Sequence, residues 1–115
     1  MDFFIDKVIL APMVRANTIA MRILCLNYGA DIVFTPEIVD YSIIDCKKIE
    51  NERLGTTDFI NSNSEVIFRT SLAEKSRLIF QLGTSSSKRA LKALKIVENN
   101  VSGLDVNMGC PKHFS

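Results

Sequence analysis

Short apolar runs alternate along the chain with longer amphipathic stretches, the pattern of consecutive βα units around a parallel sheet. The first run, Val-Ile-Leu-Ala at residues 8–11, is closed by Pro12. A helix follows from about Asn17 or Thr18, either of which can cap it, and ends at Gly29. Ala20, Ile23, Leu24 and Asn27 share one side of this helix, which is expected to lie on the sheet. A second strand over residues 32–34 ends at Thr35-Pro36-Glu37, and a second, shorter helix is expected over residues 38–46. Residues 47–64 are polar and weakly periodic, while Val66–Thr70 reads as a strand outside the main series, so an inserted hairpin or excursion is expected here. The third core strand, residues 78–82, leads through Gly83-Thr84-Ser85-Ser86 into a helix over residues 87–99. Ala90, Ala93, Leu94 and Val97 form its apolar face. A fourth strand over residues 103–107 runs into Met108-Gly109-Cys110-Pro111.

Strands of near-continuous apolar character are buried on both faces, as in a doubly wound sheet or a (β/α)8 barrel. A whole barrel takes about 250 residues, so the 115 residues here are expected to supply roughly its first half. Such a half leaves strand edges unpaired on both sides, and the sequence reads as truncated.

Composition adds exclusions. With 47% hydrophobic and 23% charged residues the chain is expected to be globular, and a net charge of +1 gives no global field toward nucleic acid or membrane. The longest apolar runs, residues 8–13 and 78–80, fall far short of a membrane span. The N-terminus carries Asp2 and Asp6 without a basic start or a small-residue cleavage pattern, so the chain is expected in the cytoplasm. Three cysteines without C-x-x-C spacing argue against both a disulfide framework and a zinc site.

Strand period places Asp105 and Asn107 on one face of the fourth strand, with Leu104, Val106 and Met108 on the other. Apolar residues suit the helix layer, so the polar pair faces inward. The same rule pairs Gln81 with Ile79 in the third strand. Polar groups therefore converge near the C-terminal ends of two strands, where α/β sheets and barrels bind ligands, or else they satisfy one another inside a barrel. Cys110, between Gly109 and Pro111, is either a thiol at the mouth able to act as nucleophile, acid or base, or a small buried hydrophobe. For Cys25 and Cys46 the buried hydrophobe is the expectation. Ala11-Pro12-Met13 ends the first strand with residues that let a flat ring approach. Arg15 can bind phosphate or simply be solvated, and the same two readings hold for Lys88, Lys92 and Lys95 on one face of the third helix. His113, the only histidine, reads as a surface residue.

Ala11-Pro12-Met13-Val14-Arg15, Phe80-Gln81-Leu82-Gly83-Thr84-Ser85 and above all Asp105-Val106-Asn107-Met108-Gly109-Cys110-Pro111-Lys112 resemble the dihydrouridine synthases, flavin enzymes that reduce uridine in tRNA. The likeness is greatest to the eukaryotic branch acting at position 20 of the D-loop, and extends to Tyr28-Gly29-Ala30-Asp31-Ile32-Val33 and Val97-Glu98-Asn99. The resemblance implies a (β/α)8 barrel with FMN across its C-terminal mouth and NADPH as reductant, acting on tRNA as a monomeric full-length protein without a metal. By motif, Pro12 and Met13 would pack against the isoalloxazine, Gln81 would bond to the flavin ring, Asn107 would lie beside the uracil and Cys110 would be the catalytic acid. Arg15 would be an RNA contact. The implied phosphate-binding loops lie beyond Ser115, so this chain alone is expected to be inactive. Two other readings are a dihydroorotate dehydrogenase-like FMN barrel acting on a free pyrimidine, and a non-catalytic truncated scaffold.

Overall fold

A computed structural model of the chain describes residues 2–108. Gly109, Cys110, Pro111, Lys112 and His113, with the expectations placed on them, lie outside the described residues.

Five short strands form one parallel sheet: β1 (Ile9–Leu10), β2 (Ile32–Phe34), β3 (Ile38–Val39), β7 (Leu78–Gly83) and β8 (Gly103–Val106). β2 and β3 both pair with β7 on the side opposite β8, Val33 with Leu78 and Ile38 with Leu82. They are two pieces of one interrupted strand. The sheet thus has four positions in chain order, all parallel, as in the first half of a (β/α)8 barrel. Burial follows that order: all six residues of β7 are buried, whereas Ile9 of β1 and Val106 of β8 are exposed.

Helix α1 (Ile19–Asn27) connects β1 to β2, and its cap is Thr18, whose Oγ1 accepts from Met21 N–H. The sheet-facing side differs from the sequence expectation. Arg22 is buried and Cys25 and Leu26 pack on the core, while Ala20, Leu24 and Asn27 are exposed. Reading apolar residues alone misplaces the face because its innermost member is an arginine. Helix α2 is Asp40–Ile44; residues 38 and 39 are strand rather than helix because Ile38 and Val39 complete the ladder with β7. Helix α3 (Ser87–Val97) is capped by Ser86 and buries Ala93 and Val97, as its periodicity predicts. Lys88, Lys92 and Lys95 are exposed.

The excursion is a three-stranded antiparallel meander, β4 (Lys47–Asn51), β5 (Thr56–Ile60) and β6 (Val66–Thr70). Gly55 closes its first turn at φ 69°, a left-handed conformation open to glycine, and donates to Asn51 O. Phe59 stacks on Phe68 at 5.2 Å, and Phe68 meets Phe80 of β7 edge-on at 5.1 Å. This aromatic series locks the meander to the outer face of the main sheet. Among the described residues no helix is long and apolar enough to cross a membrane, and no group of acidic, histidine or cysteine side chains could hold a metal.

Candidate active site

The loop after β1 is tied down by Asn17. Its Nδ2 donates to Ala11 O at 2.7 Å and to Phe34 O at 2.8 Å, joining the ends of β1 and β2. Ala16 and Asn17 N–H groups both donate to Met13 O, and Arg15 takes the left-handed φ of 70° this tight turn demands. Pro12 is left half-buried and Met13 exposed at the C-terminal end of β1.

Between β2 and β3, Thr35 replaces the missing ladder. Its N–H donates to Ile79 O, and its hydroxyl accepts from Gln81 N–H at 2.9 Å and donates to Pro36 O. Thr35 is fully buried, so the strand break is a fixed shape. Glu37 emerges from it.

Gln81 is buried, and its Nε2 donates to Asp105 Oδ2 at 2.8 Å; the two are paired across β7 and β8. Because a carboxylate oxygen accepts, the amide must turn its NH2 to Asp105 and its Oε1 away. Two residues further on, Asn107 Nδ2 donates to Glu37 Oε2 at 2.9 Å, and Asn107 N–H to Leu82 O. Gln81, Asp105, Asn107 and Glu37 thus form a polar cluster at the C-terminal ends of neighbouring parallel strands. Toward the other end of the strands lies an apolar cavity of about 270 Å³, walled by Phe34, Ile79 and Leu104 and by Phe3 and Phe4 of an N-terminal 3-10 turn.

The structure brings Gln81 onto Asp105 and Asn107 onto Glu37, so at the strand ends these polar groups satisfy one another, one of the two readings open to them from sequence. Arg15 stands apart: it is exposed and lines a separate cleft of about 310 Å³ between the start of α1, Pro36 and β6. Sequence reasoning missed Glu37, whose signal was an acid directly after Thr35-Pro36 at a strand end. It also missed Asp40. This buried carboxylate accepts from Tyr41 N–H, Thr84 Oγ1 and Arg89 Nε, tying α2 to the loop after β7. Burial pushes its pKa up, but these donors outweigh that effect and hold it below the ordinary value. Burial, aided by Asp45, pushes the Cys46 thiol up to about 11, and its Sγ donates to Ser42 O. Cys46 is therefore an inert thiol, as expected of a packed residue.

The family described as dihydrouridine synthase (Dus) matches residues 9–115. This chain belongs to the dihydrouridine synthase family. It is 48% identical over 114 residues to tRNA-dihydrouridine(20) synthase (NAD(P)+) of Schizosaccharomyces pombe, covering 96% of this chain and 24% of that protein. Against the Saccharomyces cerevisiae protein of the same name it is 44% identical, covering 97% of this chain and 31% of that protein. A Saccharomyces cerevisiae tRNA-dihydrouridine(20a/20b) synthase is 30% identical over 103 residues, 90% of this chain and 24% of that protein. The chain spans about a quarter to a third of the length of these relatives. The described residues supply four parallel strand positions in chain order, in keeping with the barrel of this family.

Proposed function

We propose that this chain is the first half of the catalytic barrel of a tRNA-dihydrouridine synthase that reduces the C5-C6 bond of uridine 20 in the D-loop. The supporting observation is the cluster of Gln81, Asp105, Asn107 and Glu37 at the strand ends, directly before Gly109-Cys110-Pro111.

The residues present suit FMN. The isoalloxazine has an apolar face and an edge of alternating donors and acceptors; Pro12 and Met13 offer apolar surface, and Gln81 offers an amide oriented by Asp105. Bound FMN would supply a hydride to C6 of the uracil, with NADPH as the source of electrons. Pro12 and Met13 would pack against the ring, and Gln81 Oε1 would accept from a ring N–H. Asn107 would hold the uracil, and the Cys110 thiol would give its proton to C5. That role needs the thiol protonated when the hydride arrives. The uridine must leave its stack to reach such a site. Arg15, in its separate cleft, suits a phosphate flanking the target nucleotide better than the target base.

The test is to express the full-length protein in a yeast strain whose own position-20 enzyme is deleted and to measure dihydrouridine at that position by mass spectrometry. Restoration by the native protein and none by Cys110→Ala is expected. No restoration, with reduced flavin oxidised by orotate instead of tRNA, would overturn the reading.

A further inference from the structure

Asp40 and Tyr41 directly follow β3, and Arg89 follows β7 after the turn at residues 84–86. Val39 pairs with Gly83 in parallel, so both segments leave the sheet at the same end as Gln81 and Asn107. At this rim the Arg89 guanidinium lies over the Tyr41 ring, 4.5 Å from its centroid. The cation is held from behind. Its Nε donates to the buried Asp40 carboxylate at 2.8 Å and its Nη2 to Ser85 Oγ at 3.3 Å, while Thr84 Oγ1 donates to the same Asp40 oxygen. Tyr41 is 61% exposed. Arg89 covers one face of the ring, and the opposite face is open to solvent.

The surroundings decide what such a ring takes. Lys92 stands one turn along α3 from Arg89, and Lys88 one turn before Lys92. Both are exposed, and among the described residues neither has an acidic partner, because Asp40 is engaged by Arg89. Leu91, the exposed apolar residue of α3, lies about 200° round the helix from Arg89 and so adds no apolar surface beside the ring. An apolar protein surface would meet one ring among cations. A nucleic-acid strand matches both parts: a base has a π face that stacks, and its phosphates are neutralised by lysines.

We infer that Tyr41, stiffened by Arg89, is a stacking platform for an unpaired base of tRNA beside the uridine to be reduced, with Lys88 and Lys92 meeting phosphates of the same strand. This rests on the function proposed above. Extruding the target uridine leaves its neighbours without a stacking partner, and an aromatic ring at the rim supplies one. Stacking reads no base edge, so the platform adds affinity and orientation rather than a choice of base.

The experiment uses the flavin-loaded full-length enzyme and unmodified tRNA, with Kd, flavin reduction by NADPH and flavin reoxidation by tRNA measured separately. Tyr41→Ala and Tyr41→Leu are expected to weaken tRNA binding about tenfold, and Tyr41→Trp to restore it. A set of tRNAs, each lacking one base next to position 20, should contain one that binds the native enzyme about tenfold more weakly and Tyr41→Ala no more weakly than intact tRNA does. Lys88→Gln with Lys92→Gln should lower the slope of log Kd against log salt by about one to two. Native binding by Tyr41→Leu, no missing base coupled to Tyr41, or an unchanged salt slope would each overturn the inference. Slowed flavin reduction by NADPH in Tyr41→Ala would give the ring to the dinucleotide and overturn it too. Failure of the native enzyme to reduce U20 of a tRNA that it binds through Tyr41 would instead overturn the proposed function.

Discussion

Arg22 and Glu74 meet inside the protein through two parallel hydrogen bonds, Nε to Oε1 and Nη2 to Oε2, each 2.7 Å. Their side chains are 3% and 0% exposed, so neither charge has water as an alternative partner. The remaining donors and acceptors are met: Arg22 donates to Asn17 O and Arg69 O, and Thr70 Oγ1 donates to Glu74 Oε2. One ion pair thereby joins α1, β6 and the turn before β7. Removing one partner leaves the other charge buried, so Glu74→Ala in the full-length protein should cost about 3 to 5 kcal/mol. Replacing both by Met and Leu should cost clearly less. Urea unfolding followed by fluorescence measures both, and equal costs would show that shape rather than the stranded charge dominates.

The Asp58 carboxylate accepts from Arg69 Nε and Nη2 at 2.8 Å, and also from Asn51 and Thr56. The Arg69 bonds, helped by those of Asn51 and Thr56, outweigh burial and hold its pKa down at about 2. A folded pKa below the unfolded value of about 3.9 means stability that is fully present above about pH 4 and is lost as pH falls toward 2. The loss should be about 2 kcal/mol. Asp58→Asn should flatten the stability profile over that window, read from unfolding midpoints at successive pH values; an unchanged slope would assign the acid sensitivity elsewhere.

The cysteines separate packing from chemistry. With its thiol pKa near 11, Cys46 should alkylate far more slowly than an ordinary thiol at pH 8. Cys46→Ala should leave tRNA reduction within about twofold of the native rate, whereas Cys110→Ala should abolish it. Peptide mapping after timed iodoacetamide treatment, beside the activity assay, tests both halves of this contrast.

Met21 and Leu24 of α1, Tyr28 just after it, and Leu91, Val106 and Met108 are exposed, and among the described residues β1 and β8 each pair on one side only. Purified as 115 residues, the chain should self-associate and carry no stoichiometric flavin. Size-exclusion chromatography with a visible absorbance scan checks this, and a monomer with one flavin per chain would refute it.

Sequence pattern located β2, β7 and α3 well, because each is decided by a local run: a continuous apolar strand, or a capped helix with one apolar stripe. It failed where burial is polar. The inner face of α1 centres on Arg22, and its partner Glu74 lies 52 residues away. β4 exposes four of its five residues and shows no alternation to read, while Asp58 and Thr57 of β5 are buried against hydrophobic expectation. β3 is only Ile38–Val39, too short to stand out from the helix that follows. Within the candidate site, strand parity gave Gln81, Asp105 and Asn107. Glu37 was hidden because its meaning depends on a residue 70 positions further along.

The strand break at Thr35 separates architecture from chemistry. Since a threonine hydroxyl maintains the link to Gln81 N–H, the backbone at residue 37 is released from ladder duty while staying anchored at both ends. A different side chain at that place would change the polar surface at the strand ends without unzipping a strand. The sheet here behaves as a socket in which one tooth can be exchanged while the fold stays still.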